Sequence, residues 1–199
     1  GEIHSPYEKY LQPTAYRRPP NPAMPPTHDL IISELKRSKE PYLHKYQKDS
    51  GSDTERWVYD VPIWVAVEAL SFGTLSKAIS FRNDHNQVYA KTCSILGVKK
   101  QYLARQLRSF TFVRNKCAHS ARLWNSFVLD QPAVSNATKR RAEKVLGQNY
   151  GENSLLAVIV ALDNFLFLTN SWDGFLDEYM KLVERNPDFH QGIANPHHS

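Results

Sequence analysis

Cysteine is scarce in this chain. Its 199 residues include only Cys93 and Cys117, which stand 24 positions apart without any CxxC or paired-histidine spacing. Such a pair makes neither the disulfide framework of a small secreted protein nor the ligand set of a structural zinc site. We therefore expect no metal, no cofactor and a reducing, cytoplasmic environment.

A long hydrophobic run is also missing. The longest apolar stretch, LLAVIVALDNFLFL at 155–168, is too short to span a bilayer and contains Asp163 and Asn164. The first residues, GEIHSPYEKYLQP, are polar and interrupted by proline, so they do not resemble a signal peptide. We expect no membrane partner and a buried helix over 155–168.

Acidic residues are absent from one long segment. No Asp or Glu occurs between His85 and Leu129, whereas from Gly151 to Asp188 seven acids face two bases. The basic residues of the acid-free segment are Lys91, Lys99, Lys100, Arg105, Arg108, Arg114, Lys116 and Arg122. A basic surface attracts polyanions, and interleaved aromatic rings stack on bases. The segment therefore predicts an RNA-binding face; the alternative is a solvated basic face with its aromatics in the core.

Sustained β-strand alternation is missing as well, and the apolar spacing is helical. The pattern predicts one helix that starts near Thr27 and another that starts near Asp60 and ends at Gly73, and further helices that end near Gly97 and Gly147. A further long helix is predicted from Ser154 to about residue 183. The fold class is therefore predicted to be all-α, a helical bundle.

Proline density suggests where the bundle begins. Residues 1–26 contain seven of the twelve prolines, which disfavours both helix and sheet. We predict a Pro-rich extended arm over 1–26, a helical domain over 27–185 and a flexible tail over 186–199.

The segment RNKCAHSARLWN, which begins at Arg114, combines residues suited to phosphate chemistry. On a continuous helix Asn115, His119 and Arg122 would share one face, and Arg114 would lie roughly 140° from His119. Histidine moves protons near neutral pH without a metal, and arginine stabilises an anionic phosphate. The same spacing is also common for an exposed arginine and a hydrogen-bonded histidine, so it leaves both readings open.

Two separated blocks resemble a known family. PIWVAVEALSFGTLSKAIS at 62–80 and LRSFTFVRNKCAHSARLWN at 107–125 are similar to the Abi_2 family of AbiD/AbiF-type abortive-infection proteins of bacteria. The resemblance covers about residues 28–129. That family belongs to the HEPN superfamily of helical bundles, many of which are metal-independent ribonucleases with an R-x4-H motif. Arg114, Asn115 and His119 match that motif.

The resemblance implies a role for each motif residue. Arg114 would stabilise the phosphate, His119 would act as general acid or base, and Asn115 would orient the histidine or the scissile group. The implied reaction is attack of the RNA 2′-hydroxyl, which leaves a 2′,3′-cyclic phosphate, in phage defence or a toxin–antitoxin system. Further implied partners are a second copy, in a homodimer with a composite active site, and a protein or RNA antitoxin.

Residues around the motif have supporting roles in this hypothesis. Those expected to bind RNA are Lys99, Lys100, Arg105, Arg108, Lys116, Arg122 and Asn125. Glu68 either pairs with Arg114 or Arg122 to support the site, or is a buried carboxylate satisfied by some arginine. We expect Trp124 to pack on the core. Ser71 is expected to make an end-of-helix hydrogen bond.

Two rival functions use the same residues. The chain is alternatively a non-catalytic RNA- or partner-binding helical module with the same basic face, or a structural dimeric scaffold. Cysteine-hydrolase chemistry is not expected, because Cys117 and His119 stand two residues apart on a helix and point in different directions.

Overall fold

The computed structural model describes residues 9–48 and 56–197, and the all-α prediction is confirmed. Within these ranges the only strand-like contact is a single bridge between Tyr16 and Arg82. The helices are α1 Thr27–Arg37, α2 His44–Lys48, α3 Ile63–Ala69, α4 Phe72–Ser80, α5 Gln87–Ile95, α6 Lys100–Ala118, α7 Asn136–Leu146, α8 Leu155–Leu168, α9 Phe175–Val183 and α10 Pro187–Ala194.

The chain divides into two compact units, whereas the sequence predicts one helical domain over 27–185. The first unit ends at Tyr89 and the second begins at Ala90. Each has its own cluster of buried apolar side chains, one centred on α1 and the other on α8. Hydrophobic periodicity marks buried faces but does not say which faces share a core, so this division is invisible in the sequence.

The Pro-rich segment differs from the extended arm predicted over 1–26. Residues 1–8 lie outside the described ranges, but Tyr10, Leu11 and Tyr16 are buried in the core of the first unit. The Tyr10 hydroxyl donates to the carbonyl of Val61 at 2.8 Å, and burial raises the pKa of Tyr10 well above its usual range. Prolines disfavour α-helix here, and a short 3-10 helix forms at Pro13–Ala15, yet the large side chains between the prolines remain available for packing.

Backbone hydrogen bonds attach the same segment to the end of α4. The amide of Arg17 donates to the carbonyl of Phe81 at 2.8 Å, and the amide of Asn83 donates to the carbonyl of Ala15 at 2.9 Å. The Arg17 guanidinium donates to the carbonyl of Ser80 at 2.7 Å. These partners are 63 to 68 positions apart in the chain, so local pattern does not reveal them.

Short helices α3 and α4 begin and end at positions that the sequence places only approximately. Pro62, not Asp60, is the N-cap of α3, and Gly73 lies inside α4 and does not terminate α3. The end-of-helix role expected for Ser71 is confirmed, because its hydroxyl accepts from the amide of Thr74 at 3.2 Å.

Glu34 on α1 joins this cap and was not singled out by the sequence. Its carboxylate accepts from the Ser71 amide at 2.7 Å, from the Ser71 hydroxyl at 2.8 Å and from the Thr74 hydroxyl at 2.7 Å. Thr74 is buried. Charge-assisted hydrogen bonds of this kind are about twice as strong as neutral ones, so Glu34 couples α1 to α4.

We expect Glu34→Gln to lower the free energy of unfolding by about 2 kcal/mol, because the amide keeps the shape but loses the charge and one acceptor oxygen. Urea denaturation followed by circular dichroism measures the change. The control is Glu68→Gln on α3, an exposed position whose effect should stay within about 0.5 kcal/mol. Equal losses in the two variants would contradict the role assigned to Glu34.

Helices α6 and α8 form the centre of the second unit. They pack on each other, with Phe110 and Phe165 in edge-to-face contact at a centroid distance of 5.6 Å. The predicted ends of two neighbouring helices are confirmed: Gly147 adopts a left-handed φ of 68° after α7, and Gly97 one of 66° after α5. The Ser154 N-cap is also confirmed, since its hydroxyl accepts from the amide of Ala157 at 3.1 Å.

The long final helix predicted from Ser154 to residue 183 is wrong, because the structure breaks it into α8 and α9. Asn170 and Gly174 both have positive φ in the connecting turn. Asp163, buried in α8, accepts from the amide of Leu176 at 2.9 Å and from Arg141 at 3.3 Å. This carboxylate holds the start of α9 against α8. The contact forms only because the chain turns between the two helices.

The flexible tail predicted over 186–199 is also wrong in its described part, because Pro187–Ala194 form α10. Gly192, Ile193 and Ala194 are buried there. Pro187 lies at the first helical turn, where its fixed φ favours helix, and the apolar residues then contact the α8 core.

Candidate active site

Helix α6 ends at the motif. His119 is its C-cap, and its amide donates to the carbonyl of Asn115 at 3.0 Å. The amide of Ser120 donates to Cys117 at 3.1 Å, and that of Ala121 donates to Lys116 at 2.8 Å. This is a Schellman motif with Ser120 in the left-handed region at φ 50°, where glycine is more usual. The closed end holds the backbone of His119 in place.

The three motif side chains are exposed. Arg114, Asn115 and His119 all reach solvent at the end of α6. The Arg114 guanidinium donates to Oδ1 of Asn115 at 3.2 Å. The imidazole of His119 makes no hydrogen bond to any residue in the described ranges. The guanidinium and the imidazole are therefore both open to solvent.

Arg114 and His119 leave the helix on different sides. Arg114 lies one turn after Phe110, on the stripe of α6 that also contains the buried Leu107. It is the position at which this stripe becomes exposed. Five residues of helix separate it from His119, which corresponds to roughly 140° of rotation. Asn115 lies between them on the helix surface, and its bond to Arg114 draws the guanidinium toward the histidine side.

Lys116 has a structural contact in addition to its predicted RNA-binding role. Its ammonium donates to the carbonyl of Arg122 at 3.2 Å and to the hydroxyl of Ser126 at 3.3 Å, and it lies 5.4 Å from the ring centre of Phe112. It thereby fastens the segment after the motif to α6. All these partners are neutral, so the positive charge of Lys116 is not cancelled by them.

Arg122 does not share a helix face with His119, and that geometric prediction is wrong. The expected i+7 placement requires a continuous helix, whereas α6 stops at Ala118. The backbone turns at Ser120, and Arg122 is exposed in the following loop. Sequence reasoning missed the stop because a serine occupies the position that usually carries glycine.

The remaining predicted RNA-binding cations lie toward the start of α6, before the motif. Arg105 donates to the carbonyl of Gln131 at 3.2 Å, and Arg108 forms a 3.1 Å ion pair with Asp130. Lys99 and Lys100 are exposed at the start of the helix. Lys99 precedes His119 by twenty residues, or roughly 30 Å of helix. The structure thus spreads these cations along α6, and only Arg122 and Lys116 lie near the motif.

Trp124 and Asn125 contact α10. The Trp124 indole donates to the carbonyl of Asp188 at 3.3 Å, but the side chain is 38% exposed, so the expectation that it packs on the core is wrong. The amide side chain of Asn125 donates to the carbonyl of His197 at 2.9 Å and accepts from its amide at 2.7 Å. The Asn125 amide group, predicted to bind RNA, is therefore engaged with the C-terminal segment.

Glu68 is exposed on α3 in the first unit. It makes no hydrogen bond or ion pair to the described residues of that unit, so the expectation of a buried, satisfied carboxylate is wrong. Exposure removes the desolvation cost that would require a partner. Its support of the motif stays a prediction.

Neither a metal cluster nor a membrane helix occurs in the described part of the chain. No group of three or more His, Cys, Asp or Glu side chains is arranged there to hold an ion. No helix there combines the length and apolarity needed to cross a bilayer.

Comparison with known proteins gives one family match. The model of the Abi-like protein family, Abi_2, matches residues 3–125, which is 123 of the 199 residues. The family resemblance is therefore confirmed, and the match begins earlier than the expected residue 28, so that it includes the Pro-rich segment. It ends at Asn125, before α7 to α10. No curated protein and no solved structure matches the chain.

Proposed function

Because this chain belongs to the Abi-like protein family, which indicates a role in abortive infection and phage defence, we propose that it is a metal-independent RNA endonuclease of the HEPN type. The observation that carries the proposal is the exposure of Arg114, Asn115 and His119 at the closed end of the acid-free helix α6. All three lie inside the matched region.

The proposed reaction needs only proton transfer and charge stabilisation. A general base takes the proton of the ribose 2′-hydroxyl, whose oxygen attacks the adjacent phosphorus. The 5′-oxygen then leaves and receives a proton, so that the products are a 2′,3′-cyclic phosphate and a 5′-hydroxyl. His119 carries protons in this scheme, and the Arg114 guanidinium stabilises the extra negative charge of the phosphorane.

The angle between Arg114 and His119 favours a homodimer. About 140° of rotation separates them on one helix, so a phosphate held between them is more easily reached by residues of two facing copies. Two copies of the exposed motif would form one cleft, with the arginine of one chain opposite the histidine of the other. Asn115 would orient the guanidinium through the 3.2 Å bond.

The direct test is incubation of the purified protein with RNA in the presence of EDTA, followed by analysis of the product ends. We expect cleavage with 2′,3′-cyclic phosphate and 5′-hydroxyl ends, because no step uses a metal. Ends bearing a 5′-phosphate, or cleavage only on addition of a divalent ion, would contradict the proposal. RNA binding that weakens with salt but yields no product would favour the non-catalytic binding module.

A further inference from the structure

The loop after the motif, residues 120–126, is held by three sets of contacts. Its first amides bond back to the last turn of α6. Leu123 packs against the core of the second unit. Trp124 and Asn125 bond to α10 and to the segment that follows it. A loop fixed at so many points keeps one conformation, so the side chains that it carries start from constant positions.

Arg122 combines a fixed backbone with a free side chain in this loop. Its carbonyl accepts from the Lys116 ammonium at 3.2 Å and from the Ser126 hydroxyl at 2.9 Å. Its guanidinium is exposed and bonds no residue in the described ranges, so all five of its N–H donors are open to a ligand. The other arginines of the acid-free segment each donate to a residue of the protein: Arg105, Arg108 and Arg114.

Lys116 is better placed to hold this loop than to contact RNA. It is only partly exposed, whereas the motif residues on either side of it are exposed. Its ammonium gives two of its three donors to the Arg122 carbonyl and to the Ser126 hydroxyl, and it lies 5.4 Å from the ring centre of Phe112. A partly buried charge needs such bonds, and making them leaves fewer donors for a phosphate.

Arg122 is close enough to His119 for both to act on one RNA strand. It follows His119 by three positions, so their Cα atoms lie at most about 11 Å apart. Successive phosphates of one strand rise about 3.4 Å, so this distance spans about three nucleotides. No acidic residue between His85 and Leu129 competes for the guanidinium.

We propose that Lys116 is a positioning residue for the nuclease: it holds the backbone of Arg122 so that the Arg122 guanidinium binds an RNA phosphate near the scissile one. This inference rests on the proposed function, and it separates two residues to which the sequence assigns the same RNA-binding role. Arg122 makes the contact, and Lys116 fixes where the contact is made. A guanidinium suits the task because its planar fork of donors binds two phosphate oxygens at once.

The test measures binding of an oligoribonucleotide that carries a 2′-O-methyl group on every ribose, so that no 2′-hydroxyl is left to attack and the strand stays intact. Fluorescence anisotropy gives its dissociation constant for the full chain at salt concentrations between about 50 and 200 mM. Each phosphate contact that is lost from a single strand reduces the salt slope, the steepness with which log affinity falls with log salt, by about 0.7. The salt slope therefore counts phosphate contacts, which a melting temperature does not.

Arg122→Gln is expected to weaken binding about fivefold to tenfold and to reduce the salt slope by about 0.7. Lys116→Met keeps the aliphatic stem and should have nearly the same effect, because Arg122 is then no longer held. The double variant should equal either single variant, since both changes remove the same contact. Arg140→Gln and Lys144→Met, at exposed positions of α7, are the matched controls and should change neither affinity nor salt slope.

Ser126→Ala tests the positioning role without removing a charge. It deletes the hydroxyl that accepts from Lys116 and donates to the Arg122 carbonyl. We expect binding to weaken about twofold to threefold with a smaller salt slope, because one of the two bonds that hold Arg122 is lost. Should Lys116→Met fail to fold, Ser126→Ala decides in its place, and an unchanged salt slope would then overturn the proposal.

Three further results would overturn it. Additive losses of affinity and salt slope in the double variant would show that Lys116 itself binds a phosphate. Unchanged binding by Arg122→Gln would remove Arg122 from the contact with RNA. A lower melting temperature of Lys116→Met with unchanged binding would make Lys116 structural only. Arg122-dependent binding without any product from ordinary RNA would contradict the nuclease proposal alone, because binding is measured here without cleavage.

Discussion

Replacement of His119 by alanine is expected to lower the rate of RNA cleavage about 1,000-fold, within the range measured for loss of a general acid or base. The free energy of unfolding should change by less than about 0.5 kcal/mol, because the imidazole is exposed and bonds no described residue. Single-turnover cleavage of a labelled RNA measures the first quantity and urea denaturation the second. A large loss of rate with an unchanged free energy of unfolding would show that His119 acts in the reaction and not in folding.

His44→Ala is the matched control, since His44 is also exposed but lies on α2 in the first unit. It should leave cleavage unchanged. Equal rates for His119→Ala and the unmodified protein would remove His119 from the reaction.

Mixing two inactive variants tests whether the site is shared between subunits. His119→Ala keeps Arg114, and Arg114→Ala keeps His119. In a mixed dimer with a composite cleft, one site regains an arginine from one chain and a histidine from the other. We expect cleavage well above that of either variant alone, and no recovery if both residues act within one chain.

The second large effect is expected at Gly192 on α10. A Cβ built there would lie 2.5 Å from Cδ1 and 2.7 Å from Cε2 of Trp124, which is closer than non-bonded atoms approach. Gly192→Ala therefore displaces the indole, together with its bond to Asp188 and the bond from the Asn125 amide to the Gly192 carbonyl. We expect the free energy of unfolding to fall by about 3 kcal/mol.

A double-mutant cycle identifies the clash as the cause. Trp124→Ala removes the indole, so adding Gly192→Ala to it should cost much less than adding Gly192→Ala to the natural chain. Gly151→Ala is the control, because its Cβ would meet nothing closer than Asn153 Oδ1 at 3.3 Å. Strictly additive losses at 192 and 124 would show that the two residues do not share a contact.

Local signals predicted several helix ends of the second unit. Ser154 and Gly147 mark their helix ends because a hydroxyl that accepts from an amide and a residue free to adopt positive φ act within one turn. The end of α6 was missed because it lacks the usual glycine signal. Ser120 adopts the left-handed conformation there, although its side chain disfavours it.

Contacts between distant segments escaped prediction. The polar cluster of Glu34, the ion pair of Arg108 with Asp130 and the bonds of Lys116 to the loop after α6 all depend on where helices pack. The sequence therefore predicts a uniform basic face, whereas in the structure several of the basic side chains of α6 bond to neighbouring loops.

By itself the sequence determined the helical class, the acid-free basic segment that contains Arg114, Asn115 and His119, and the family. These follow from spacing and residue type, which act over a few positions or are visible in the letters themselves. Only the tertiary structure decided that α10 supports the loop after the motif and that the Pro-rich segment is packed. Each of these requires surfaces far apart in the chain to be brought together, and their burial supplies the free energy that local preference lacks.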